Sequence, residues 1–88
     1  MKRRHRTSNK IEVVERRLGR EGCDGLAWIG ENKIEIHTDL EGKERLGVVV
    51  HELIHLCFEK ASETSVLKAE KIIRDTLWEQ CYRRVEID

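Results

Sequence analysis

At 88 residues the chain is long enough for one small domain with a modest core, in the size range where a bound metal adds appreciable stability. Hydrophobic and charged residues each make up 39%, and 17 Lys+Arg balance 17 Asp+Glu, so no global charge field selects an acidic or basic partner. No stretch approaches the roughly 18 apolar residues of a membrane span, no signal-like apolar run opens the chain, and Cys23, Cys57 and Cys81 form no CxxC pair. The expectation is a cytoplasmic protein with reduced thiols, without membrane segment, disulfide framework or thiolate zinc site.

In chain order, residues 1–10 read as a flexible basic lead: Lys2, Arg3, Arg4, Arg6 and Lys10 precede the first acid, Glu12. Such a lead is solvated and capable of a weak nucleic-acid contact, and His5 within it is expected at the surface. A single domain over residues 11–88 follows. Ile11, Val14 and Leu18 mark one face of a short helix ending near Gly19 or Gly22. Leu26-Ala27-Trp28-Ile29 and Ile34-Glu35-Ile36-His37 predict two strands, joined through Gly30-Glu31-Asn32-Lys33 into a β-hairpin. Trp28 is expected as a hydrophobic anchor and His37 as an exposed side chain.

The segment Asp39–Lys43 then leads to a helix at about residues 44–59, whose apolar positions Leu46, Val49, Val50, Leu53 and Cys57 recur at helical spacing. A second helix is predicted over 63–84, with Ser62 as N-cap and Glu63 complementing the helix dipole. Val66, Ala69, Ile73 and Leu77 form its buried stripe, and Trp78 and Tyr82 are expected as packing residues. A loop of about three residues makes this helix antiparallel to the one before it. The predicted fold is α+β: an N-terminal helix, a β-hairpin, then the two antiparallel helices.

The chemistry centres on the pentapeptide His51-Glu52-Leu53-Ile54-His55. Two His at i and i+4 share one helix face and can grip one Zn²⁺ through imidazole nitrogens, with the intervening Glu placed to take a proton from zinc-activated water. These polar groups sit in the most apolar stretch of the chain, where an unpaired polar group costs roughly 1–3 kcal/mol, and a metal supplies a partner. Zinc needs a third protein ligand, and Glu63, Glu70 and, more remotely, Asp75 are candidates. At 100° per residue, Glu63 and Glu70 both fall on the side of Val66, Ile73 and Leu77. Reflection of positions 51–55 through a loop near residue 61 lands on about 67–71 and prefers Glu70, whereas Glu63 requires the metal helix to end early.

The order of strand, connection, HExxH helix and return helix resembles the minimal core of zincin metallopeptidases, including small gluzincin-like and ImmA/IrrE-like groups, and more distantly the SprT-like proteins. More closely, Ile34 to Arg84 resembles a group of short phage and bacterial proteins. Their shared pattern reads here as Ile34-Glu35-Ile36, His51 through His55, Ser62-Glu63, Trp78 and Tyr82-Arg83. The resemblance implies a zinc-dependent peptidase fold with His51, His55 and Glu63 as ligands, Glu52 as general base, and a peptide or protein substrate. Cys81 stands where that group often has Gly, and the second subdomain of larger metallopeptidases is absent. The alternative expectation is a catalytically inactive, zinc-stabilised binding module, associated with nucleic acid through the basic lead.

Overall fold

The computed structural model describes residues 10–85, which form an α+β unit of one three-stranded sheet and two helices. Strand β1 spans Glu12–Arg16, β2 Gly25–Trp28 and β3 Lys33–His37; helix α1 spans Gly42–Cys57 and α2 Glu63–Glu79, and a single 3-10 turn at Gly19–Glu21 joins β1 to β2. Helix α1 packs on β2 and β3, and α2 leans on α1.

The hairpin follows the sequence pattern. β2 and β3 pair antiparallel, with Ala27 opposite Ile34 and Trp28 opposite Lys33. The turn uses left-handed backbone at Gly30 (φ 89°) and Asn32 (φ 51°), two residue types that tolerate it.

The expected N-terminal helix is instead a strand. β1 pairs parallel with β3, from Glu12 beside Lys33 to Arg16 beside His37, and gives the order β1-β3-β2. A helix of that length is marginal by itself. Val13 and Val14 are β-branched, and the second edge of β3 offers unpaired N–H and C=O groups that an extended chain can satisfy. The spacing of Ile11, Val14 and Leu18 therefore bridges a strand and the residues after it; Leu18 enters the core only once β1 has ended.

Ile34 and Ile36 project from the helix-facing side of the central strand and are fully buried, with Leu40 packed beside them and Ala27, Val48, Val49, Leu53 and Leu56 around. Each such aliphatic side chain contributes about 1.5–3 kcal/mol on full burial. This cluster holds α1 to the sheet and so determines where the His51 to His55 segment sits.

Several side chains depart from expectation. His37 is not a free surface group: its Nδ1 accepts the Leu18 backbone N–H at 3.0 Å, which ties the segment after β1 to the end of β3. Cys57 is exposed, as are Ile73 at 40% and Tyr82 at 64%. Trp28 is partly exposed, with the Lys33 ammonium 5.2 Å from its ring centroid.

Helix α2 stops at Glu79 rather than continuing to 84. The Cys81 N–H donates to the Trp78 carbonyl and the Tyr82 N–H to the Leu77 carbonyl, both at 3.0 Å, with Cys81 left-handed at φ 67°. That is a Schellman termination, which usually places Gly at the left-handed position. The first nine residues, including His5 and most of the basic lead, lie outside the described residues. Among the described residues no helix is long and apolar enough to cross a membrane.

Candidate metal centre

The mid-helix position of His51 and His55 on α1 brings both imidazoles to one face, with ring centroids 4.8 Å apart and their Nε2 atoms 3.2 Å apart. Helix α1 ends at Cys57, two residues earlier than the periodicity predicts. Residues 58–62 reverse the chain, with the Ala61 N–H donating to the Phe58 carbonyl, and the Ser62 side chain accepts the Ser65 N–H at 3.1 Å to start α2. The early stop satisfies the condition that Glu63 needed. Its carboxylate lies over both imidazoles, with Oε2 3.2 Å from His51 Nε2 and Oε1 3.1 Å from His55 Nε2.

Glu70 is also where the antiparallel geometry predicts it, beside His51, yet it takes the other nitrogen. Glu70 Oε1 lies 2.9 Å from His51 Nδ1. A carboxylate only accepts, so the proton sits on Nδ1 and the Nε2 lone pair points at Glu63 and His55. Glu70 is fixed in turn by Arg74, whose Nη1 donates to its Oε2 at 3.0 Å. A metal-binding His held by a carboxylate on its second nitrogen is the usual way that tautomer and ring angle are set. The third candidate, Asp75, points away and pairs with Lys43, Lys71 and Arg74.

His51, His55 and Glu63 form a group that can hold a metal ion. The donor set suits zinc: two imidazole nitrogens 3.2 Å apart and a carboxylate whose two oxygens each lie 3.1–3.2 Å from one of them, with one ligand atom from each residue all within 4.8 Å of one another. Ligand atoms about 2.0–2.1 Å from a tetrahedral ion stand about 3.3–3.4 Å from one another. Electron-rich atoms at these separations repel unless a cation ties them together, and only a proton or a metal ion is small enough to do so.

Glu52 completes the constellation. It is 9% exposed, and no hydrogen bond or ion pair holds its carboxylate among the described residues. Burial pushes its carboxyl above the ordinary value; the two His pull it back, and the Glu63 and Glu70 charges add to the rise. Gly25 of β2 packs directly on it. A Cβ there would stand 2.9 Å from Glu52 Cγ and 2.7 Å from Val48 Cγ1, so the strand approaches α1 this closely only with glycine. On the other side of α1 a Cβ at Gly47 would meet Glu70 Oε2 at 2.8 Å and Arg74 Cδ at 2.9 Å, so the glycine leaves room for that pair in its present position.

Gly25, Gly47 and Arg74 escaped the sequence reading. The only signal was a glycine four residues before His51 inside an otherwise apolar helix, a position that usually has a packing reason. Together the groups line an open cleft of about 720 Å³ between α1 and the β2 edge, with Leu26, Ala27 and Ile29 supplying apolar surface. Comparisons with protein-family models, with curated proteins and with solved structures find no match for this chain.

Proposed function

We propose that the chain is a minimal zincin-like metallohydrolase that cleaves a peptide or amide bond, with His51, His55 and Glu63 as zinc ligands and Glu52 as general base. The observation that carries this reading is Glu52: a side chain 9% exposed and held by no hydrogen bond or ion pair among the described residues, beside a converging two-His, one-Glu donor set and lining an open cleft. A purely structural Glu is usually fixed by hydrogen bonds or an ion pair; Glu52 has only the longer-range attraction of the two imidazoles and keeps its carboxylate available to the cleft.

Zinc, when bound, supplies Lewis acidity that polarises a carbonyl and makes water acidic enough to attack near neutral pH. The protein's part follows from its own residues. Glu52, with its affinity for protons raised by burial, accepts the proton of the attacking water and returns it to the leaving amine. Glu70 keeps the His51 lone pair directed at the site, and Arg74 keeps Glu70 in place. Among the described residues β2 pairs with β3 on one side only, so its other edge can receive an extended peptide by main-chain hydrogen bonding along the cleft.

Zinc content by mass spectrometry tests the site. The expected result is near one ion per chain in the native protein and near none in His51→Ala or Glu63→Ala. Glu52→Gln should retain zinc while hydrolysis falls by about 10²–10⁴-fold, the range for loss of a general acid–base group. Full activity in Glu52→Gln would refute its role, and a native chain that takes up no added zinc would refute the whole reading.

A further inference from the structure

Resting on the hydrolase reading, we infer that the substrate is a cationic extended peptide, with Lys or Arg side chains on both sides of the bond presented to the metal centre. Among the described residues the cleft lining carries six carboxylates, those of Asp24, Glu44, Glu52, Glu59, Glu63 and Glu70, against one guanidinium, Arg74. Glu63 and Glu70 are engaged with the imidazoles, and Arg74 is already committed to Glu70 and Asp75. A divalent ion leaves the lining with a negative excess, whether Glu52 is charged or neutral.

The distribution of the remaining acids gives the preference its direction. Glu44 lies in the first turn of α1 and Glu59 just beyond its last, with Val48, His51, Glu52 and His55 between them along the same cleft. The spacing corresponds to roughly 20 Å of helix axis, the length of about six extended residues. Asp24 adds a third carboxylate at the start of β2. No ion pair engages Asp24, Glu44 or Glu59 among the described residues. The acids alone would be a solvated rim. What makes the cleft a ligand site is the buried, unpartnered Glu52 facing into it. A peptide laid along β2 thus meets negative charge at both ends of α1 and apolar surface from Leu26 and Ile29 between.

The test uses the zinc-loaded full chain and a randomised synthetic peptide mixture, with cleavage sites read by mass spectrometry. In parallel, fluorescein-labelled Ala-Arg, Ala-Ser and Ala-Glu repeat peptides are titrated with Glu52→Gln protein and followed by anisotropy. Cleavage sites enriched in Lys and Arg on both sides are expected, with the Ala-Arg peptide bound about tenfold more tightly than Ala-Ser and Ala-Glu weakest, as several exposed ion pairs would produce. Added Glu44→Gln and Glu59→Gln substitutions should remove most of that margin while zinc content stays near one. Cleavage without charge preference, or a preference that survives those substitutions, overturns the inference and leaves the peptidase reading standing. Selective Ala-Arg binding with no cleavage of any peptide overturns the peptidase reading and leaves the cationic ligand. Equal binding of all three peptides with no cleavage overturns both.

Discussion

Two charged clusters lie on the same pair of helices, and Arg74 belongs to both. Towards the start of α1, Asp75 receives Lys43 at 3.2 Å, Lys71 at 3.0 Å and the Arg74 Nε at 3.0 Å. Cations outnumber the acid, every carboxylate oxygen is paired, and the group is partly exposed. Towards the end of α1, His51, His55, Glu63, Glu70 and Glu52 bring three carboxylates and two imidazoles together, with only Arg74 Nη1 as a permanent cation. The first cluster is closed on itself and needs nothing further. The second has more acceptors than donors among the described residues, as the zinc site proposed above would require. The balance of donors against acceptors thus distinguishes the two clusters more clearly than a count of ion pairs does.

Matched substitutions break this comparison most sharply. Glu70→Ala should lower zinc affinity by about 10–100-fold without removing a ligand, since it frees the His51 tautomer and ring. Asp75→Asn, one helical turn further on, should leave zinc affinity unchanged; chelator competition on the two proteins reads both. Equal losses would mean that the clusters act as one unit through Arg74.

Next in size is Gly25→Ala. The added methyl meets Val48 and Glu52 in packed surroundings, so a loss of about 1–3 kcal/mol in denaturant unfolding is expected, with β2 displaced from α1. An unchanged midpoint would show that β2 does not bear on Glu52.

Opposite pH responses sharpen the contrast. The neighbouring Lys71, Arg74 and Lys43 hold the Asp75 carboxyl well below its usual range, so its contribution is present above the unfolded carboxyl pKa and is lost as pH falls below about 4. Glu52 is shifted the other way by burial, so the zinc-free fold favours its neutral form and loses that advantage as pH rises through the raised value. Melting of the zinc-free chain against pH should therefore show an acid-side loss that Asp75→Asn reduces, and a loss above the ordinary glutamate range that Glu52→Gln removes. Glu15 and Glu35, both lowered mainly by arginine hydrogen bonds, add to the acid-side loss alone.

The smallest effect belongs to neither cluster. Cys81→Gly relieves left-handed backbone at the end of α2 and should stabilise the chain by about 0.5–1 kcal/mol, with zinc binding unaltered.

Much of the site was legible because its signals are local. The His51 to His55 pentapeptide has one helical geometry, the Ser62 cap is a short-range hydrogen bond, and the hairpin turn needs only Gly30 and Asn32 at left-handed positions. Glu70 lies beside His51 as reflection through the loop expects, and its carboxylate meets Nδ1, a distinction between imidazole nitrogens that sequence spacing does not carry.

The sequence by itself determined the hairpin, the two helices and the face that His51, Glu52 and His55 share, since propensity, capping and helical periodicity act within a few residues. Only the tertiary structure decided the rest. β1 became a strand because an edge of β3 was there to pair with it, and Glu63 met both imidazoles because α1 stopped at Cys57. The Glu52 side chain became mostly covered because Gly25, distant in the chain, let β2 close over it. Each outcome depends on contacts between segments far apart in sequence, whose free energy no single stretch of residues carries.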